Sequence, residues 1–188
     1  METPVTENEI TMAEILPRSQ LIFDSATISY AMDVLADKLE ERLGKSNPLM
    51  LCVMNGGIIF TGHLLTRLQF DLDIDYLHAT RYQNQTTGGD TINWIAEPRL
   101  SLKDRTVVIL DDILDEGITL DAIIKYCKAK GAKEVISVVL LRKIHQRTIK
   151  GVDCDFTALE VDDLYVFGFG MDYKGSLRNL DGIYAITE

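Results

Sequence analysis

Val107-Val108-Ile109-Leu110-Asp111-Asp112-Ile113-Leu114-Asp115-Glu116-Gly117-Ile118-Thr119-Leu120 is the stretch that decides the fold. Its short, β-branched apolar run, bounded by a polar break, reads as a strand buried on both faces of a parallel sheet. Gly117 and Thr119 then open a segment of helical spacing, with Ile118, Ala122, Ile123, Tyr126 and Cys127 along one side. A strand that feeds a loop and then a helix leaves unbonded backbone N–H groups at the helix N-terminus, and such groups hold phosphate. The carboxylates ahead of the loop suit what a phosphate cannot satisfy, namely ribose hydroxyls and a hard cation such as Mg2+. Adjacent acids at a strand end are electrostatically costly unless a cation is present.

Working outward, strand and helix patterns alternate. Ile28, Met32, Leu35, Leu39 and Leu43 form the apolar face of a helix that Ser25 or Thr27 caps and Gly44 stops. Pro48 introduces a strand, Leu49 to Val53, that ends at Asn55-Gly56-Gly57. There two glycines permit positive φ and close approach of a ligand. Ile58, Ile59, Leu64, Leu65 and Leu68 give the next helix. Leu72, Ile74, Tyr76 and His78 alternate with polar residues as a half-exposed strand, and Thr86-Thr87-Gly88-Gly89-Asp90 turns into a returning strand, Thr91 to Ala96. Gly131 stops the helix after the opening stretch. Strands follow at Val135 to Leu141 and Phe156 to Val161, and an aromatic-rich tail ends in Gly182-Ile183-Tyr184-Ala185-Ile186. This order predicts an α/β fold, a doubly wound and mainly parallel sheet whose ligands bind at the carboxyl ends of strands. The loops after Met54 and after Leu110 both lie there. The first two dozen residues, with Pro4 and Pro17, read as lightly structured.

A chain of 188 residues is a one-domain length with room for a sizeable core. Its net charge of −10 argues against nucleic acid and anionic membrane as partners. Cys52, Cys127 and Cys154 lack C-x-x-C spacing and read as free thiols, the first two buried, which suits a reducing cytoplasm. The acidic N-terminus has no signal-peptide pattern, and the longest strong apolar run is strand-sized.

The stretch from Val107 to Thr119 resembles the phosphoribosyl-pyrophosphate (PRPP) signature of type I phosphoribosyltransferases, two apolar residues, two acids, two apolar residues, then a loop with Gly and Thr. Asn55-Gly56-Gly57 resembles the family's pyrophosphate loop, which is often Lys-Gly-Gly or Arg-Gly-Gly; Asn55 removes one cationic contact. Leu140-Leu141-Arg142-Lys143, then Tyr165-Val166-Phe167-Gly168-Phe169-Gly170-Met171-Asp172-Tyr173, then Arg178, is similar to the C-terminal order of hypoxanthine-guanine phosphoribosyltransferases. The likeness spans roughly residues 48 to 187.

The resemblance implies a single domain over residues 1–188, with a core of about 45–160 and a small hood formed by the N- and C-terminal segments, about 1–25 and 160–188. It implies that Asp111 and Asp112 face the ribose hydroxyls and Mg2+. Backbone groups of Asp115, Glu116, Gly117, Ile118 and Thr119, with the Thr119 hydroxyl, would hold the 5′-phosphate. Asn55, Gly56, Gly57 and Arg178 would meet pyrophosphate. Lys143 would donate to the purine O6, Tyr165 would stack on the ring, Val166 would offer backbone near the 2-position, and Asp172 would help hold a second Mg2+. Asp115 would face N7 of the base and handle its proton. An ammonium donor matches an O6 acceptor and is mismatched with the amino group of adenine. The expected reaction is therefore transfer of phosphoribose from PRPP to hypoxanthine or guanine in a homodimer or homotetramer. A xanthine-preferring enzyme and a non-catalytic PRPP-sensing regulator are the rivals.

Two positions depart from the family pattern. Glu116 stands where Thr is common, and its carboxylate is expected to point away while its N–H serves the phosphate. The lid segment, Thr80 to Gly88, lacks the usual Ser-Tyr start; Arg81 and Tyr82 are its expected working side chains. His63, His78 and His145 show no ligand spacing and read as structural or surface residues. Trp94 reads as packing or interface. Glu40-Glu41-Arg42 and the segment Lys143 to Arg147, Lys143 apart, read as solvated charge.

Overall fold

A computed structural model describes residues 10–83 and 90–187, with the side chains of residues 81–91 outside that description. The chain begins with α1 (Met12–Ile15), a 3-10 turn (Leu16–Arg18) and β1 (Ser19–Phe23), so the supposedly irregular start is structured from α1 onward. α2 (Ser25–Leu43), β2 (Leu49–Met54), α3 (Gly57–Leu65), β3 (Asp73–Gln83) and β4 (Asp90–Ala96) follow. Then come β5 (Thr106–Leu114), α4 (Ile118–Ala129), β6 (Glu134–Ile144), β7 (Phe156–Asp162), β8 (Val166–Phe167) and β9 (Ile183–Ile186).

The main sheet has the order β4-β3-β2-β5-β6-β7. Every pairing is parallel except that of β3 with the edge strand β4. Alternation along β2 explains how one strand serves two layers. Leu49, Leu51 and Val53 pack with Leu120, Ile123 and Cys127 of α4, whereas Met50 packs with Leu35 and Leu39 of α2 and Phe60 of α3. The sheet is thus covered on both faces, as the sequence pattern requires. Each fully buried aliphatic side chain in these layers contributes roughly 1.5–3 kcal/mol.

Local readings shift in instructive ways. Asp24, not Ser25 or Thr27, caps α2: its carboxylate accepts the Thr27 N–H at 2.8 Å, which makes Thr27 the donor. β3 does alternate, but in the opposite phase. Asp75, Leu77 and Ala79 are buried while Ile74 and Tyr76 are exposed. The cause is Asp75, whose carboxylate accepts the backbone N–H groups of Arg99 at 2.6 Å and Leu100 at 2.7 Å and so repays its burial. The turn at Thr86 to Asp90 lies largely outside the described residues. β5 runs through the acidic pair to Leu114, so Asp111 and Asp112 belong to the strand and not to a loop. Trp94 packs on Tyr126 of α4, with ring centroids 4.6 Å apart. Cys52 and Cys127 are buried free thiols, and burial pushes the Cys127 thiol up to about 11.

A second sheet has the order β1-β9-β8, both pairings antiparallel, with β9 in the middle. It joins the N- and C-terminal segments into the expected hood, packed around Ile15, Phe167, Leu177 and Leu180.

Candidate active site

The carboxyl ends of β2 and β5, the middle of β3 and the N-terminus of α4 enclose a cleft of about 420 Å³. Its floor is the end of β5. Asp111 is buried, and its carboxylate accepts the Asp112 backbone N–H at 2.9 Å. Burial and the neighbouring Asp112 charge push Asp111 well above the usual carboxylate range. Burial raises Asp112 as well, partly offset by its hydrogen bond with Asp111 and by the Arg178 charge. Two adjoining carboxylates so placed favour a shared proton or a bound cation, so the donor set fits a hard divalent ion.

This has a measurable consequence. A carboxyl whose pKa is raised by folding stabilises the fold below its unfolded value, about 4, and loses that contribution as pH rises through the folded value. In metal-free buffer, Asp111→Asn should therefore gain in Tm relative to wild type as pH is raised above the ordinary carboxylate range. Added Mg2+ should close the gap by stabilising only the wild type. Differential scanning calorimetry with and without chelator measures both, and a Tm difference independent of pH and Mg2+ excludes the strained acidic pair.

Beyond β5 the chain turns at Gly117, whose φ of 83° begins α4. The first turn of a helix leaves its N–H groups without intrahelical partners, and Glu116, Gly117, Ile118 and Thr119 all line the cleft. The loop is stitched to the segment after β6: the Ile149 N–H donates to the Glu116 carbonyl at 2.9 Å and the Thr148 hydroxyl to the Asp115 carbonyl at 3.3 Å. The Glu116 carboxylate lies 3.9 Å from the Arg147 guanidinium.

Asn55 and Gly56 form the opposite wall. Positive φ is not the reason for the glycines, since Gly56 is right-handed with φ −57° and Gly57 is not in the left-handed region either. Close approach is. A Cβ on Gly56 would stand 1.9 Å from the Asp112 carboxylate, and one on Gly57 would stand 2.8 Å from the Leu110 carbonyl. Gly170 in turn presses on Gly56: at φ 105°, its Cβ would lie 2.2 Å from the Gly56 carbonyl oxygen.

Asp115 occupies the cleft edge under several donors. Lys143, at the end of β6, reaches its Oδ2 at 2.8 Å, and His145 Nε2 lies 2.6 Å from its Oδ1. Arg147 approaches Oδ1 at 3.5 Å while also pairing with Asp163. Burial works to raise the Asp115 pKa, but the hydrogen bonds from Lys143 and His145, with the Lys143 charge, outweigh it and hold the group below the usual carboxylate range. The Asp115, His145 and Asp163 donor atoms lie within 4.8 Å of one another. Lys143 and Arg147 already neutralise those carboxylates, which disfavours a further cation there.

Arg178 lines the cleft beside the acidic pair, donating to the Gly170 carbonyl and pairing with Asp172, each at 2.7 Å. The other Asp172 oxygen accepts the Gly175 N–H at 2.7 Å. Tyr165 is exposed on the hood, edge-on to Tyr173 with centroids 5.6 Å apart, and Val166 is buried beside it. Arg81 and Tyr82 end β3, paired with Ile92 and Thr91, but their side chains lie outside the described residues, as does most of the lid.

The fold thus gathers Asn55, Gly56, Asp111, Asp112, Asp115 through Thr119 and Arg178 around one cleft, joins Lys143 through Asp115, and ties Asp172 in through Arg178. Gly57, Tyr165 and Val166 are not part of the cleft wall. Among the described residues, His78 and His145 were read as bland, and Thr80 was placed only in the lid. His78 lies beside Met54, the last residue of β2, and Thr80 follows where β3 runs on past that edge, so both line the cleft. His145, read as a bland residue in a solvated run, has its side chain only 5% exposed against Asp115. Its spacing of two from Lys143 at a strand end, which puts both on one face, was the usable signal.

A family model described as phosphoribosyl transferase domain matches residues 22–174. The Bacillus subtilis protein named hypoxanthine-guanine phosphoribosyltransferase is 27% identical over 161 residues, covering 86% of this chain and 89% of that one. The bifunctional protein TilS/HprT of Listeria innocua is 31% identical over 165 residues, covering 84% of this chain; the chain spans only 25% of that longer protein. The crystal structure of a hypoxanthine phosphoribosyltransferase from Staphylococcus aureus superposes with a TM-score of 0.85 at 22% identity, covering 96% of each chain, and shares the fold. With its acidic strand end, glycine-initiated helix and matched residues 22–174, this chain belongs to the phosphoribosyl transferase domain family.

Proposed function

We propose that this protein is a purine salvage enzyme that transfers the 5-phosphoribosyl group of PRPP to N9 of hypoxanthine or guanine, giving IMP or GMP and pyrophosphate. The observation that carries the reading is the Lys143–Asp115 pair, 2.8 Å apart beside the α4 N-terminus. A cationic donor and an ionised carboxylate side by side match the O6 acceptor and the N7 proton of a 6-oxopurine. The name of the Bacillus subtilis relative supports the same substrates.

In this reading the N–H groups of Asp115 to Thr119 and the Thr119 hydroxyl bind the 5′-phosphate, and Asp111 and Asp112 orient the ribose. Asn55, Gly56, Gly57 and Arg178 receive pyrophosphate, and Tyr165 and Val166 border the base. Asp111, Asp112 and Asp172 would hold Mg2+, Asp172 after loosening from Arg178; when bound, Mg2+ neutralises charge on the diphosphate. The chain's own residues align N9 with C1, and Asp115 receives the N7 proton as the base becomes a cationic intermediate. Arg81 and Tyr82 belong to the lid that excludes water. The working form is a cytoplasmic homodimer or homotetramer built from one domain. Among the described residues no helix is long and apolar enough to cross a membrane.

A spectrophotometric assay with PRPP and Mg2+ against hypoxanthine, guanine, xanthine and adenine tests the reading. Turnover of the first two is expected. Xanthine alone points to the xanthine-preferring enzyme, and PRPP binding without any turnover points to a regulator. Glu116→Thr should keep kcat within about threefold of wild type, because the residue serves through its N–H and its carboxylate faces Arg147. A large drop in kcat in the same assay assigns that carboxylate a direct role.

A further inference from the structure

Lys143 holds Asp115 at Oδ2, His145 at Oδ1. Under the proposed function, on which this inference rests, Lys143 must turn to O6 when a base arrives, so one of the two close restraints on the carboxylate is released. We propose that His145 is the positioning residue for Asp115: as a neutral ring with its proton on Nε2, it keeps Oδ1 anchored and leaves Oδ2, the oxygen Lys143 vacates, as the atom that meets the N7 proton.

The tautomer follows from the ring's other nitrogen. His145 Nδ1 accepts the Arg147 backbone N–H at 3.1 Å, and a nitrogen that accepts carries no proton. The single proton of the neutral ring is therefore on Nε2, aimed at Asp115 Oδ1, 2.6 Å away. A doubly protonated ring would set an N–H against the Arg147 N–H, so this hydrogen bond fits only a ring whose Nδ1 is bare. The ring is 5% exposed, and Thr148 and Ile149 tie the same segment to the phosphate loop, which fixes its distance from the carboxylate. The charges around the pair are Lys143, Arg147, Glu116 and Asp163. Arg147 cannot replace His145, because its guanidinium is committed to Asp163 and approaches Oδ1 only at 3.5 Å.

The test compares wild type, His145→Ala and His145→Gln with PRPP and hypoxanthine. Misplacing a reacting group by an ångström can lower turnover on the order of a hundredfold, so His145→Ala should reduce kcat by about 10- to 100-fold with KM for PRPP changed less than about threefold. Glutamine can present an N–H donor where Nε2 was, and His145→Gln should recover most of the loss. In 15N-labelled wild type, the ring signals absent from His145→Gln should report the Nε2-protonated neutral tautomer at neutral pH. Unchanged kcat in the alanine variant, a glutamine variant as impaired as the alanine one, loss confined to KM, or any other ring state overturns the proposal. If instead the wild type turns over none of the four bases, the parent reading fails and this one goes with it.

Discussion

Asp115→Ala should lower kcat by about a thousandfold, within the 10²–10⁴ range that a positioned proton-transfer group contributes, while KM for PRPP stays within about threefold of wild type. The two effects separate because different atoms of residue 115 serve them. Its side chain is gathered under Lys143 and His145, where the proposed function puts the base, whereas its backbone begins the loop at the α4 N-terminus. Asp115→Asn sharpens the result, since it keeps the shape and one acceptor but cannot take a proton; it should be nearly as inactive. Removing the carboxylate also strands Lys143, whose side chain is 11% exposed, so a modest fall in Tm should accompany the kinetic loss. Steady-state kinetics with PRPP varied at saturating hypoxanthine read both numbers. A drop of less than tenfold would remove Asp115 from the proton step, and a matching loss of PRPP affinity would reassign it to the phosphate loop.

Gly170→Ala should be the most damaging substitution for the fold's active edge. Two independent costs coincide there. The backbone sits at φ 105°, outside the reach of an L-residue at low strain, and the added Cβ would lie 2.2 Å from the Gly56 carbonyl oxygen. Gly56 cannot retreat, because it already stands against the Asp112 carboxylate. Backbone strain of this kind and a steric clash together cost about 3 kcal/mol or more, which for a chain of this size lowers Tm by roughly 6–12 °C. Gly175→Ala is the internal control. Its φ is 86° but nothing lies within 4 Å of the new Cβ, so only the left-handed strain of about 1 kcal/mol remains. Urea titration should show a lower midpoint for Gly170→Ala at unchanged slope. Equal midpoints for the two variants would show that close packing on Gly56 adds nothing.

The framework was legible because it rests on period and punctuation. Val107 to Leu110 and Leu49 to Val53 are buried on both faces, and nothing but a covered parallel sheet accommodates such runs. The acidic pair and Gly117 marked the cleft for the same reason: their chemistry is unusual at a strand end. What escaped was contact made across the sheet. The phase of β3 depends on Asp75 finding the Arg99 and Leu100 N–H groups two dozen residues away, which no local alternation reveals. Gly56 and Gly57 were read as freedom of φ and close approach to a ligand, yet what they approach within the fold is Asp112 and Leu110 on a neighbouring strand. His145 looked solvated because its partner lies thirty residues earlier in the chain.

The small sheet hangs on a single strand. β9 is its middle strand, and β1 and β8 have no contact in that sheet except through it. A chain in which residues 183–186 are displaced keeps every strand of the main sheet, β2 to β7. It lacks the strand that gathers the two ends, and so lacks support for the Gly170 and Arg178 loop that bears on the cleft. The cleft's shape thus depends on a strand that lends no residue to its wall, so a substitution that loosens β9 should be felt at the Gly170–Arg178 loop before it is felt in the main sheet.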